Sequence, residues 1–441
     1  MTSLFPQRSK ASRLLTTFLL GSPFVLVSAE VVLYGHSFPV QDILKLPAHQ
    51  TCPVFSDGLT STSFPWTHNP TCLQAALPDS ESAKQTFCVY TNSRFANDRG
   101  ISLITTPEVA TSYLLESFSH EDQEDRGQEP YQARDTSGRG IGLFARNKIE
   151  AGNTVILKHP TVIISNHLLH GRASDERHRL LDLAFRQLPE KTQKTLAGLA
   201  KSKGGHELDD LMKTNGMGMR LGEADTVGHL GVVPEASRIN HACRPNTYYR
   251  FDDYTLTLNL YALRDIQPGE ELTYSYGFYD RPHEERVKAL REHWGFTCTC
   301  SLCSSSAENI SKSDQRLKDI KDIRDNLPTG FENVPQFIAL LPNLVNLMDE
   351  EGLVIERPMY EEILAYSWSV LGIEQRAKHW AGRARRDWEI IAGKNSYEAR
   401  RTAQMEMDVK AHQTWATWDK DPWDDSVWED DHHAEDDGHH H

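Results

Sequence analysis

Positive charge is scarce in this 441-residue chain: 47 lysines and arginines face 62 aspartates and glutamates, for a formal net charge of −15. Such an excess of carboxylates repels phosphate backbones and attracts basic partners at low salt, which excludes nucleic acid as a direct ligand. The excess is greatest in the tail, where ten acidic residues from Asp419 onward stand against Lys420 alone. Long apolar runs are also lacking. The stretch Leu14 to Val27 is interrupted by Gly21, Ser22 and Pro23 and is too short for a bilayer span, so no stable membrane crossing is expected. Cysteine is sparse, with seven in all and none between Gly142 and Asn240. The first three, Cys52, Cys72 and Cys88, lack metal-ligand spacing. They read as one disulfide plus a free thiol in an oxidising compartment, or as ordinary half-buried thiols in a reducing one. A glycine cluster at Gly138, Gly140 and Gly142 lacks the G-x-G-x-x-G and following helix of a dinucleotide fold.

What is present is an ordinary globular composition, 39% hydrophobic and 25% charged, in a chain long enough for two or three units. Arg8, Lys10 and Arg13 precede the first apolar run, and Val27-Ser28-Ala29 puts small residues where a signal peptidase cuts. Residues 1–29 therefore read as a signal peptide or N-terminal anchor, with a non-secretory N-terminus as the alternative. The first reading sends the protein to the secretory pathway or outside the cell, the second to the cytoplasm and nucleus, where thiolates stay reduced. Residues 30–128 have no readable role. Within them, Phe95 to Ala110 echoes Thr136 to Ala145, both placing Arg-Gly-Ile before a short apolar strand. The echo reads as a glycine turn leading into a strand, or as an extra hairpin laid against the first sheet of the next domain. Ser119 to Gln128 is charged without apolar periodicity and reads as a linker or exposed loop.

Chemistry concentrates between Arg238 and Cys303. There R-I-N-H-A-C-R-P-N (Arg238 to Asn246) is followed by P-G-E-E-L-T-Y-S-Y (Pro268 to Tyr276) and then by F-T-C-T-C-S-L-C (Phe296 to Cys303). Cys298, Cys300 and Cys303 together with Cys243 supply four thiolates, the donor set of a closed tetrahedral zinc site. Taken together, these segments resemble a SET-domain protein-lysine methyltransferase with a cysteine-rich post-SET motif. The run Arg286, Leu290, Arg291, Trp294 and Phe296 before the cysteines is most similar to the SMYD and SET5-type branch, without its MYND finger. The resemblance covers residues 129–304.

That resemblance implies an α+β fold: a SET-domain β-clip of short sheets with a helical insert at about 165–230, a zinc-bound post-SET segment, and an α-helical C-terminal lobe over residues 305–414. It assigns S-adenosylmethionine to Gly138, Arg139, Gly140, Asn240 and the backbone of His241, with Trp294 and Phe296 packing near the adenine. It assigns Tyr276 to the point of methyl transfer, and zinc to Cys243, Cys298, Cys300 and Cys303. Ala242 stands where the family usually has serine. Thr214-Asn215-Gly216-Met217 resembles the segment that precedes the Asn-His motif in the SMYD branch. The implied partner is a lysine-containing protein, histone or non-histone, met by a monomer. The alternatives are a SET-fold binding module that has lost transfer, or a different acceptor such as arginine.

Local patterns add to this. Ser174 is placed to cap a helix in which Leu180, Leu181, Ala184, Phe185 and Leu188 recur at helical spacing, and a second helix is expected over Leu208 to Lys213. Leu256, Leu258, Leu260 and Ala262 alternate as one face of a half-buried strand. Glu270 and Glu271 are neighbours in an extended segment, so they point apart and are expected to partner arginines rather than to share a reacting atom. A helix is expected over Met359 to Leu371, and Ala377, Trp380, Ala384, Trp388 and Ile391 form the stripe of another, in a lobe that either roofs the substrate cleft or only packs. Asn309-Ile310-Ser311 is a glycosylation sequon, usable only in a secretory route. Residues 415–441, rich in Asp, His and Trp, read as a disordered tail. Its histidines could hold metal weakly, and its carboxylates could draw in lysine-rich substrates.

Overall fold

The computed structural model describes residues 66–418, apart from 79, 112–128, 137, 223 and 329–332, together with two short paired strands, β1 (Val32–Leu33) and β2 (His36–Ser37). The expected signal segment 1–29, Cys52, the charged stretch Ser119 to Gln128 and the expected tail from Asp419 on lie outside the described residues. The first residues expected in that tail, Trp415 to Trp418, are ordered instead: Trp415 and Trp418 pack on the helical core, and the Ala416 and Trp418 N–H groups donate to the Ser369 and Val370 carbonyls.

The fold is α+β. β3 (Thr71–Leu77), β4 (Ser80–Asn92) and β5 (Ile101–Thr105) form a meander, in which Gly100 turns the chain at φ +75°. A Cβ at Gly100 would stand 2.5 Å from the Pro189 ring, so both the turn and the packing require glycine there. Cys72 and Cys88 oppose one another in the β3–β4 register and are joined by a disulfide. β5 then pairs in parallel with β9 (Val162–Ser165), which continues into β11 (His229–Val232) and β10 (Met217–Met219). The result is one six-stranded sheet in the order β10-β11-β9-β5-β4-β3. The hairpin thus shares a sheet with strands from beyond residue 129. Every residue of β5 is buried, as expected for a strand covered on both faces.

A second sheet, β13 (Thr247–Asp252), β14 (Thr257–Ala262) and β8 (Thr154–Lys158), carries the predicted alternation: Leu258, Leu260 and Ala262 are fully buried. The hairpin of β6 (Tyr131–Thr136) and β7 (Gly140–Ala145) and the parallel pair β12 (Asn240–His241) and β15 (Thr273–Tyr274) complete the short sheets.

Between β9 and β10 lies the helical insert, α1 (Ser174–Gln187), α2 (Glu190–Ala197) and α3 (Glu207–Asn215). Ser174 is the first helical residue rather than the cap. The Ala173 carbonyl already accepts the first helical bond from the Arg177 N–H, and no side chain caps the end. α4 (His283–Trp294) leads into the cysteines. Five further helices follow: α5 (Ala307–Asp325), α6 (Val334–Glu351), α7 (Arg357–Val370), α8 (Glu374–Ile391) and α9 (Tyr397–Met407). The expected stripe on α8 is buried throughout. Tyr261 and Leu263 belong to the lobe's own apolar core, so the helices pack directly on the second sheet.

A charged pin fastens the lobe. Glu351, almost fully buried at the end of α6, accepts from the Arg244 guanidinium, from Arg316 Nε at 2.7 Å and from the Ser313 hydroxyl at 2.5 Å. Arg244 also donates to the Cys243 and Tyr279 carbonyls. Among the described residues, no helix is long and apolar enough to cross a membrane.

Leu103, fully buried on β5, packs in the same core as Ile156, Leu258 and Leu260. Leu103→Ala should cost about 2–5 kcal/mol. Urea unfolding should show one transition shifted to lower denaturant, whereas a separate early transition would mean that the N-terminal strands fold as a unit of their own.

Candidate functional site

The site is built where the β6–β7 turn, the β12–β15 pair and the segment after α4 converge. Gly138 and Gly140 have φ of +80° and +74°, and nothing stands within 4 Å of where a side chain on either would begin. The turn is therefore open to close approach by a ligand. The Arg139 N–H closes it on the Thr136 carbonyl at 2.8 Å. Gly142 is glycine for the opposite reason: a Cβ there would stand 2.7 Å from Glu271 Oε1 and 2.9 Å from Asn240 Nδ2.

Those two side chains are locked together. Asn240 Nδ2 donates to Glu271 Oε1 at 2.8 Å and to the Thr136 hydroxyl at 3.3 Å, while Arg139 pairs with Glu271 Oε2 at 2.7 Å. Glu270 turns the other way, to Arg264 and Asn246. The adjacent carboxylates thus partner separate cations, as their extended backbone implies. Glu271 nevertheless does more than pair with an arginine, since it fixes the orientation of Asn240. A close approach of Gly142 to a motif residue is a signal that spacing alone does not carry.

His241 is buried, and its two ring nitrogens face different parts of the site. The Tyr276 N–H donates to Nδ1 at 3.0 Å, so Nδ1 is the acceptor and the ring hydrogen sits on Nε2, which faces Cys243 Sγ at 3.4 Å. Burial holds this imidazole down to about 4, with Arg286 also lowering it against the opposing pull of Cys300. It is neutral at physiological pH.

Tyr276 lies at the centre of an aromatic group. Its ring centroid is 4.9 Å from Trp294, 5.0 Å from Tyr274, 5.3 Å from His241 and 6.1 Å from Phe296. Its hydroxyl donates to the Ile239 carbonyl at 2.8 Å. Burial, reinforced by the Glu271 charge, pushes the Tyr276 phenol well above its usual range, so it is a hydrogen-bond donor and not a base.

The four sulfurs of Cys243, Cys298, Cys300 and Cys303 all lie within 4.8 Å of one another, with Cys243 at 3.5 Å from Cys303 and 3.8 Å from Cys298. A tetrahedron of zinc–sulfur bonds has sulfurs about 3.8 Å apart, so the donor set fits zinc in both identity and spacing. Charge points the same way. Arg286, fully buried on α4, has no carboxylate partner among the described residues. One of its nitrogens lies 3.9 Å from Cys303 Sγ, and another donates to the Arg281 carbonyl. A buried guanidinium needs an anion, and thiolates supply it. Arg286 could have been foreseen as part of the buried face, because Arg286, Ala289 and Leu290 fall at helical spacing. Gly295, left-handed at φ +74°, ends α4 and turns the chain toward Phe296 and the cysteines.

The residues assigned to cofactor, methyl transfer and zinc are therefore in one neighbourhood: the glycine turn on one side, Asn240 and His241 in the middle, and Tyr276, Trp294, Phe296 and the thiol cluster on the other. The short sheets, the parallel β12–β15 pair and the cysteine cluster define a SET domain, and residues 140–277 match the family model of that name. That segment of the chain is thus similar to a SET domain. It is 40% identical over 91 residues to histone-lysine N-methyltransferase set5 of Schizosaccharomyces pombe, an alignment covering 20% of this chain and 28% of that protein. It is 36% identical over 103 residues to human histone-lysine N-methyltransferase SMYD3, covering 23% of each, and 26% identical over 125 residues to the zebrafish (Danio rerio) N-lysine methyltransferase SMYD2-A, covering 28% and 27%. The matched segments span about a quarter of the length of these relatives.

The thiol geometry predicts that the purified chain carries a single equivalent of zinc by elemental analysis. Cys298→Ser should abolish it and, with α4 losing its anchor, shift tryptophan fluorescence to the red as Trp294 becomes wet. Retention of metal by the variant would count against the four-cysteine site.

Proposed function

We propose that the chain is an S-adenosylmethionine-dependent methyltransferase acting on lysine side chains of protein substrates. The observation that carries this reading is the position of Tyr276, half-buried among aromatics and tied through His241 both to the Asn240–Gly142 cradle and to the cysteine cluster. The names of its relatives support lysine as the acceptor. The bound cofactor would supply a sulfonium methyl group. Gly138, Arg139 and Gly140 would let it approach the backbone, Asn240 and the His241 backbone would fix its polar ends, and Trp294 and Phe296 would flank it. Zinc on the four cysteines would tie the segment bearing Trp294 and Phe296 onto the domain and so complete the pocket.

The residues of the chain then have defined tasks. A lysine ammonium has no lone pair and must lose a proton before it can react; an apolar, aromatic surround lowers its pKa by desolvation. The protonated Tyr276 hydroxyl, held by the Ile239 carbonyl, orients the amine, and Trp294 presents a π face that tolerates the methylated product. The chain supplies alignment rather than a strong base. Histones are a fitting substrate class because the net charge of −15 attracts basic proteins. A monomer is sufficient, since all of these groups come from one chain.

Two variants test the reading. Gly142→Ala forces Asn240 and Glu271 apart and should weaken cofactor binding roughly tenfold, equivalent to about 1.4 kcal/mol, when followed by calorimetry. Tyr276→Phe should leave that affinity unchanged and lower kcat on histone on the order of 100-fold. Cofactor binding with no transfer by the unmodified chain to any lysine protein would instead favour a SET-fold binding module.

A further inference from the structure

The aromatic group around Tyr276 is not free of cations: one comes from the chain itself. The Lys203 ammonium stands 4.1 Å from the centre of the Trp294 ring, whose other neighbour is Tyr276. Lys203 lies between α2 and α3, far from Trp294 in sequence, on an exposed loop reading K-S-K-G-G (Lys201 to Gly205). The loop is built rather than loose. The N–H groups of Ser202, Lys203 and Gly204 all donate to the Asp210 carboxylate at 2.9, 2.9 and 2.7 Å, and the Thr214 hydroxyl donates to Asp210 at 2.7 Å. Gly204 and Gly205, at φ +74° and +85°, let the chain turn away at once. Lys201, two residues earlier, is directed elsewhere: its ammonium bonds the Ala197 carbonyl and Glu207. Of the two lysines on this loop, only one is aimed at the aromatic site.

We propose that Lys203 is a methyl acceptor of this protein's own active site, modified within the same chain. The inference rests on the methyltransferase reading above and names one substrate of that site. Partial burial lowers the Lys203 pKa, with Asp210 opposing, a direction that favours the neutral amine the reaction requires. The nitrogen lone pair forms a bond to the sulfonium methyl carbon of S-adenosylmethionine while the carbon–sulfur bond breaks and its electron pair leaves with the neutral thioether. The proton shed by the nitrogen goes to water. A methylated ammonium keeps its charge and so keeps its attraction to the Trp294 face.

The test incubates the full zinc-loaded chain with methyl-labelled S-adenosylmethionine, in the presence and absence of added histone, and maps the label by peptide mass spectrometry. Label on Lys203, at a rate per chain unchanged by dilution, absent in Lys203→Arg and retained in Lys201→Arg, is the expected result. Label that persists in Lys203→Arg, or whose rate falls with dilution, overturns intramolecular modification. An unlabelled chain beside a labelled histone overturns this inference alone, whereas no label on either removes the methyltransferase reading with it. A readout independent of turnover is the Lys203 ε-methylene resonance in chain grown with isotope-labelled lysine and kept free of cofactor. The Trp294 ring current should shift it upfield, and Trp294→Ala should return it to the position of a solvated lysine. An unshifted resonance in the unmodified chain means that the contact is not kept in solution and overturns the inference.

Discussion

The two hydrogen bonds of the His241 ring are what the rest of the site depends on. One nitrogen takes the backbone N–H of Tyr276 and the other faces the sulfur of Cys243, so a single buried imidazole joins the segment after β15 to the cysteine cluster. Its neutrality is enforced by burial, and neutrality is what allows one nitrogen to accept while the other donates. On its far side, Asn240 carries the connection to Glu271, Arg139 and the glycine turn. The glycine-turn and cysteine halves of the site are therefore coupled through adjacent residues of one two-residue strand. Neither half can shift without disturbing the ring between them.

Much of this was legible in the sequence because its chemistry is carried by residue type and order. Four cysteines with the right spacing, and the Asn-His pair beside one of them, point to a site before any coordinate is known. The alternation in Leu258, Leu260 and Ala262 and the stripe on α8 were readable because helix and strand periods leave direct marks. What the sequence did not carry were relations between distant segments. Gly142 looks like one more turn glycine until Asn240 and Glu271 are seen against it. Glu271 reads as a partner for an arginine, which it is, while its grip on Asn240 is tertiary. Lys203 gave no signal at all, since a lysine in a glycine-bearing loop is ordinarily a solvated one. Ser174 illustrates a smaller limit: a good capping residue one position inside the helix is indistinguishable, in sequence, from one at its end.

The helical lobe is held by a different kind of interaction. Glu351 is a buried carboxylate, costly unless fully partnered, and it is satisfied by two arginines and a serine. Arg244 follows Cys243 directly in the chain, so the pin between lobe and domain is one residue from the thiol cluster and two more from the histidine. Tyr279 adds a second tie, its hydroxyl donating to Glu356 while its carbonyl receives Arg244. The lobe is thereby indexed to the chemistry rather than merely packed beside it. A buried charge pair of this sort adds little net stability, but it specifies one docking geometry among the many that apolar helices would tolerate.

The parallel pairing of β5 with β9 has a consequence for how the protein can be divided. β9 is buried along its whole length, and β5 covers one side of its backbone with hydrogen bonds. A fragment begun at the first residue of the recognisable domain would leave that row of N–H and C=O groups unpaired beside Val162, Ile163 and Ile164, a template for edge-to-edge association between copies. The region with no motif of its own thus serves as the guard of the sheet's open edge, and the smallest soluble unit of this protein is larger than its recognisable domain.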